Sequence, residues 1–314
     1  MTEASSIGKV GEPYVDEANK RVKWLCTDPV LTSKDLENKL EIFNKSFGID
    51  NTTRITARLF VKKNLLGKIG EYVEATIPLD GRFSDFSLVY LGRNTKDRLD
   101  SHYLCAAELE VARLIYKYEK SVDYGQAVYS VTSKNGFDGR AARILDDINP
   151  LDVVDLYKNV YNGYTFDLNE DNVKKLLQNQ SNVKAFILKD KKVVSIGVAE
   201  LCEVSVGKKK FTFAELSDAA THKEYQNSGL YIATSSLLMK YLSSMNVDLV
   251  YGEARAAHIG VNIACRRSGR QFYGVLQKHC VISGHKDFNE KGPYENLNVW
   301  ALSGNSLAEN INGD

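Results

Sequence analysis

The segment Ala214–Tyr231, AELSDAATHKEYQNSGLY, is the densest set of residues able to do chemistry in the chain. Glu215 and Asp218 lie near the end of an expected strand, 211–217. The turn Gln226-Asn227-Ser228-Gly229-Leu230-Tyr231 then leads into an expected long helix, 230–244. A helix N-terminus carries free amides and a glycine permits close backbone approach, a combination that suits a diphosphate. The next expected strand, 249–253, ends on Glu253, with Arg255 just beyond it. By period two Glu215 shares a strand face with Phe211 and Phe213. Apolar surroundings raise a carboxyl toward the range of a useful general base. The alternative for Glu215 is an ion pair with an arginine such as Arg255. Asp218 points to the other face at the strand end, where it either binds an ammonium or caps the loop. Glu253 is placed for either role. Arg255 can hold a carboxylate through two parallel bonds or sit in an internal ion pair.

Other chemistries find less support. His258 and His279 belong to no cluster with ligand spacing, so no metal site is expected. No Ser-His-Asp context appears. The five cysteines, Cys26, Cys105, Cys202, Cys265 and Cys280, form no CxxC pair, and their odd number and wide spacing suit free thiols. Lys and Arg number 41 against 40 Asp and Glu, which gives no field that would draw a nucleic acid. The N-terminus has no signal-like apolar stretch, and no window approaches the roughly 18 apolar residues of a membrane span. A soluble cytoplasmic protein is expected.

The elements that must position these residues read as two successive domains, the usual outcome for 314 residues. A polar leader, 1–16, is expected to be loose. An N-terminal α/β domain, 17–135, has strands at 20–27, 55–62, 72–79 and 86–91 and helices at 36–47 and 105–120. The turn-rich stretch Ser133–Gly139 marks the boundary. In 136–305 the order is strand (141–145), two helices (149–160 and 172–178), three strands (183–188, 193–204 and 211–217), helix (230–244), strand (249–253), helix (262–268) and two strands (271–276 and 297–302). Residues 306–314 are expected to be a tail. The fold class is α/β with a mixed sheet. Lys68-Ile69-Gly70-Glu71-Tyr72 before 85–90 echoes Arg267-Ser268-Gly269-Arg270-Gln271 before 295–300. Both read as helix end, glycine, strand, loop and final strand, which points to a degenerate partial repeat.

This order resembles that of the GCN5-related N-acetyltransferases (GNAT), whose central sheet is splayed. The first domain then reads as a degenerate half of the same fold. Gln226 and Gly229 match the first and fourth positions of the family's Q/R-x-x-G-x-G/A turn, with Tyr231 where Gly or Ala is usual. Within that family the chain looks like a branch described as β-lysine N-acetyltransferases. The resemblance is carried by 214–221, 225–230, Glu253-Ala254-Arg255-Ala256, Gly260-Val261-Asn262, Gly274-Val275-Leu276, Leu297-Asn298-Val299-Trp300 and the aromatic stretch 157–166. In the first domain Ile55–Arg58 and Tyr72–Pro78 fit as well. Differences fall at Ser217-Asp218-Ala219, at Ile259–Asn262, after Trp300, and in an expanded loop, 285–294.

The resemblance implies acetyl-CoA as co-substrate and direct attack by a small-molecule primary amine, a β-lysine-like diamino acid foremost. Ala219, Ala220 and Thr221 would run beside pantetheine. Residues 226–231 would hold the diphosphate, and Asn262, opening the following helix, would also contact the cofactor. Glu215, Asp218 and Glu253 are the candidate catalytic acids and bases, with Arg255 and Asp218 for the acceptor. The family's frequent Tyr acid falls at Cys265, and Tyr273, Tyr251 and His279 are other candidates. Transfer of a different acyl group, or acyl-CoA sensing without catalysis, are the alternatives. A homodimer is the assembly to consider. No nucleic acid or membrane partner is expected.

Overall fold

The computed structural model describes residues 11–100, 105–119, 122–144, 147–161, 167–281 and 294–312. In the N-terminal part the strands are β1 (Tyr14–Asp16), β2 (Arg21–Leu25), β3 (Arg54–Lys62), β4 (Val73–Pro78) and β5 (Phe86–Asn94). Helix α1 (Ser33–Lys45) crosses between β2 and β3, and the single turn α2 (Lys96–Leu99) follows β5. Then come α3 (Cys105–Ile115), α4 (Tyr124–Asn135), β6 (Asp138–Ala142), α5 (Pro150–Val160) and α6 (Glu170–Gln178). Strands β7 (Asn182–Lys189), β8 (Lys192–Val206) and β9 (Lys209–Thr221) lead to α7 (Leu230–Ser244). The chain closes with β10 (Leu249–Arg255), α8 (Ile259–Arg267), β11 (Gln271–Val281), β12 (Tyr294–Ser303) and α9 (Gly304–Asn312).

Local chemistry sets several of these boundaries. Thr32 and Asp35 form a reciprocal capping box on α1. Asn149 caps α5 with Pro150 in its first turn, and Asn169 caps α6. The expected tail is instead largely helix α9, whose Leu307 is buried in the core.

All twelve strands form one sheet, in the order β1-β2-β3-β5-β4-β11-β12-β10-β9-β8-β7-β6. Within it the run β2-β3-β5-β4 repeats β9-β10-β12-β11 in order and direction: parallel, antiparallel, antiparallel. Gly70 and Gly269, the glycines of the sequence echo, both lie in the left-handed region just before the corresponding strands β4 and β11. The two runs meet edge to edge where Ala75 of β4 pairs with Gly274 of β11.

One face of the C-terminal strands is covered by α4, α7 and α9, through Leu238, Met239, Leu242, Val250 and Leu302. On the opposite face α5 and α6 lie over β7 and β8. The N-terminal strands fold back over the rest of that face, packing Phe60, Phe83 and Tyr90 against Phe211, Phe213 and Tyr251. Two expectations change. Helices α3 and α4, placed by sequence in the first domain, make their contacts with the C-terminal half. Val111 and Ile115 pack on Ala254, Cys265 and Trp300, and the Tyr124 hydroxyl donates to the Ser268 carbonyl at 2.7 Å. By their packing both helices go with the C-terminal strands and helices. The two halves also share one sheet and one core, since the apolar face of β9 and β10 has no other cover.

Candidate active site

Strand β9 makes the opening. It pairs in parallel with β10 from Phe213/Leu249 to Leu216/Gly252, and the pairing stops there. Both strands continue: β9 stays with β8 to Thr221, and β10 stays with β12 to Arg255. The cause is a bulge. Asp218 and Ala219 are both accommodated opposite Gly197, where the register on β8 slips between Ile196 and Val198, and Asp218 adopts φ +48°. The Tyr157 and Tyr161 hydroxyls on α5 and at its end hold the bulge, donating to the Asp218 carbonyl at 3.1 Å and the Ala219 carbonyl at 2.5 Å. Ala219 is exposed in the gap, and the side chain of Ala220 is buried beneath it. The Thr221 hydroxyl shares a hydrogen bond with Ser195.

The helix after the gap begins without a side-chain cap. Gly229 is the N-cap residue of α7 at φ +85°, and a Cβ there would meet nothing within 4 Å. Gln226, Asn227 and Ser228 are exposed beside it, and Leu230 is buried. Tyr231 does not obstruct the backbone, because its side chain turns inward, where Arg270 and Cys265 act on it and burial pushes its hydroxyl up to about 12. The turn therefore presents open backbone on a fifteen-residue helix, the arrangement a diphosphate needs. A separate cleft of about 640 Å³ lies next to it, with charges of both signs on its walls, Asp152, Asp155, Asp190 and Glu224 against Lys189 and Lys192.

Asn262 is not at this opening. It is fully buried, and its amide donates to the carbonyls of Arg255 and His258 at 2.8 Å. Its oxygen accepts from Asn298 and from the Trp300 indole at 2.9 Å. It ties the end of β10 to α8 and β12, so its expected contact with the cofactor is corrected to a structural one.

The acidic residues gather on the face covered by the N-terminal strands. Cross-strand register sets Glu200 of β8, Glu215 of β9 and Tyr251 of β10 side by side, with Glu253 two residues further along β10. Glu215 is in an ion pair. Arg58 of β3 donates to its Oε2 and, at 2.7 Å, to the Tyr251 oxygen, while the Tyr251 hydroxyl lies 3.2 Å from the same carboxylate oxygen. Burial alone would raise Glu215, but Arg58 overrides it and holds the carboxyl below its ordinary value. The expected upward shift is thus reversed by a cation from the other half of the molecule. Glu253 is raised, by burial and then by Glu215, and lies 3.5 Å from Nε2 of the buried His279. Burial and the charges of Arg21 and Arg54 hold His279 well below the ordinary histidine value, so it is neutral.

Arg255 is likewise committed. Its Nε and Nη2 donate to the two oxygens of the buried Glu295, each at 2.7 Å. The expected carboxylate anchor is corrected to the internal ion pair that was its alternative. Cys265 is buried and accepts from Arg270 at 3.3 Å. The expanded loop lies outside the described residues except Tyr294, as do 162–166 of the aromatic stretch.

Sequence reading missed the cations. Arg21, Lys23 and Arg54, Arg58 alternate along β2 and β3 and face the acidic residues. Arg21 pairs with Asp16 and Arg54 with Glu74, and both also donate to carbonyls of β11. Lys23 has neither a hydrogen bond nor an ion pair among the described residues, yet its charge is felt at Glu200, Glu215 and Glu253. The available signal was charge at alternate positions in otherwise apolar strands, RVKWL and RITARLFVK. Among the described residues no cluster could hold a metal ion, and no helix is long and apolar enough to cross a membrane.

No family model matches the chain. It is similar to the β-lysine N(6)-acetyltransferase of Methanococcus maripaludis, with 28% identity over 145 residues, 46% of this chain and 47% of that protein. It is also similar to the N-acetyltransferase YodP of Bacillus subtilis, with 26% identity over 145 residues, 46% of this chain and 48% of that protein. The chain spans about half the length of the curated relatives it matches. Among solved structures, Arabidopsis thaliana NAA60 in complex with acetyl-CoA aligns with a TM-score of 0.44 and 11% identity, covering 53% of this chain and 98% of that one. An N-acetyltransferase from Staphylococcus aureus aligns with a TM-score of 0.41 and 8% identity, covering 54% and 97%.

Proposed function

We propose that this chain is an acetyl-CoA-dependent N-acyltransferase acting on the primary amine of a small amino acid. The observation that carries this reading is the parting of β9 and β10 after Leu216 and Gly252, next to the uncapped N-terminus of α7. A gap with one free strand edge accepts an extended amide-bearing chain, and the helix end accepts its diphosphate. The two curated relatives, both named N-acetyltransferases, support the same class.

Bound there, acetyl-CoA would supply an activated acyl thioester. The chain's own residues do the rest. The backbone of Ala219–Thr221 aligns the donor, and an amide in this stretch polarises the carbonyl by a fixed hydrogen bond. Residues 226–231 hold the diphosphate. Glu253 and Asp218 set carboxyl groups at the acceptor end, which favours an ammonium-bearing substrate, while Glu215 is paired with Arg58. With Arg255 committed to Glu295, the anchor for the acceptor's carboxylate is Lys23. A β-lysine-like diamino acid meets both demands, as the name of the Methanococcus relative suggests.

Gly229→Glu tests the donor site. A side chain and a negative charge would enter the space now open at φ +85°. Calorimetry is expected to show loss of CoA binding, with the circular dichroism spectrum unchanged. Wild-type affinity in this variant would remove the basis of the reading.

A further inference from the structure

Resting on that reading, we infer that Glu200, on β8, is the general base that takes the proton from the acceptor ammonium. Glu200 stands directly across from Glu215 in the β8–β9 register, three residues beyond Gly197, where the bulge opens the sheet. Its Oε1 accepts from the Ser217 hydroxyl at 3.0 Å, the one hydrogen bond its side chain makes among the described residues. Glu215, by contrast, is bound by Arg58 and Tyr251, and Glu253 lies against His279. Of Glu200, Glu215 and Glu253, Glu200 is therefore the one in no ion pair among the described residues, and it lies near the point where the strands part.

Its surroundings keep it basic. Glu215 and Asp218 face it from β9, and Lys23 from β2 is the cation acting on it. Its cross-strand neighbour on β7 is the uncharged Asn182, and Cys202 is next on its own face of β8. Burial, then Glu215 and Asp218, push it up to about 8, matched to an amine that must be deprotonated near neutrality.

The step balances. Glu200 accepts one proton from the ammonium, and the freed nitrogen pair forms the C–N bond as the C–S bond breaks. The second proton of that nitrogen goes to the departing sulfur. Glu200 returns its own proton to water, leaving amide and free thiol.

Glu200→Gln keeps the acceptor oxygen for Ser217 and removes the basicity. The experiment measures thiol release from acetyl-CoA with β-lysine, lysine and ornithine, for the wild type and the variant, from pH 6.5 to 10. CoA affinity is measured by calorimetry in parallel. The expected result is a kcat lower by about 10²–10³-fold at pH 7.5. The deficit should narrow toward pH 10, where the free amine is abundant, with CoA affinity unchanged. A variant within threefold of wild type at pH 7.5, or one whose deficit is the same at every pH, overturns the assignment. A wild type that binds CoA but releases no thiol with any of the three amines overturns the acyltransferase reading itself, and Glu200 with it.

Discussion

At the residue scale, the chemistry of this face depends on which carboxylates are neutralised. Arg58 lies 157 positions before Glu215 and fixes its charge. Replacing Arg58 with Met would leave Glu215 buried without its cation, a change that typically costs about 3–5 kcal/mol. The expected result is a lower urea midpoint, which Arg58→Met/Glu215→Gln should partly restore. Glu200 behaves in the opposite sense. Its folded value, about 8, lies above its ordinary value of 4.5, so the stability it contributes is present below 4.5 and lost as pH rises through 8. Glu200→Gln should therefore melt higher than wild type at pH 9, by roughly 2–4 °C for each kcal/mol relieved, and converge with it at pH 4. Lys23 predicts specificity. Lys23→Met should raise KM for lysine or β-lysine about tenfold or more, and leave KM for the decarboxylated diamine cadaverine nearly unchanged, because only the former loses a charge-assisted bond. An equal effect on both substrates would rule out Lys23 as the carboxylate anchor.

At the element scale, two irregular strands make the molecule. The bulge in β9 ends its pairing with β10, and Tyr157 and Tyr161 hold the carbonyls it exposes. Strand β11 is the other. Its register breaks between Phe272 and Gly274 and again between Leu276 and Cys280, and Lys278 sits at φ +49°. The first break lets β4 approach. A Cβ at Gly274 would fall 2.2 Å from the Glu74 carbonyl oxygen and 2.8 Å from Ala75, at φ +154°. Gly274→Ala is expected to cost about 2–4 kcal/mol, as strain and overpacking of buried backbone do. Thermal melts would register this, and a change under about 0.5 kcal/mol would mean that the seam between the halves yields to a methyl group. The second break exposes the carbonyls of 277–279, which Arg21, Arg54 and Arg98 take up from the N-terminal half.

At the scale of the whole molecule, the repeated strand order and the antiparallel seam β4–β11 relate the two halves by an approximate twofold. They are not equivalent. In the N-terminal copy the edge beyond β2 is closed by the short β1, and β2 stays paired with β3 along its whole length, so no gap forms. That half serves instead as the cover of the acidic face, bringing Lys23 and Arg58 to it. The shared core of Phe60, Phe83, Phe211, Phe213 and Tyr251 would expose a large aromatic surface if either half separated. Heating should therefore give one calorimetric transition, with equal calorimetric and van't Hoff enthalpies. Two resolved transitions would contradict the common core.

Features governed by neighbours along the chain were legible in the sequence. The alternation of 211–217, the caps Asn149-Pro150, and the glycine before α7 depend on local sterics and on hydrogen bonds spanning a few residues. The order of elements in 136–305 followed from these, and so did the echo around Gly70 and Gly269. Glu215 as an acid on β9, and Gly229 as an open helix start, were legible for the same reason. The partners of those residues were not. Arg58 for Glu215, Glu295 for Arg255, and Asn298 and Trp300 for Asn262 come from strands that meet only when the sheet assembles. Burial lowers the local dielectric, so such a partner reverses the direction of a pKa shift that composition alone would suggest. Glu200 sat unremarked in an apolar run because nothing local distinguishes a carboxylate held in an ion pair from one outside any. That distinction was decided by the β8–β9 register and by the N-terminal half folding over it.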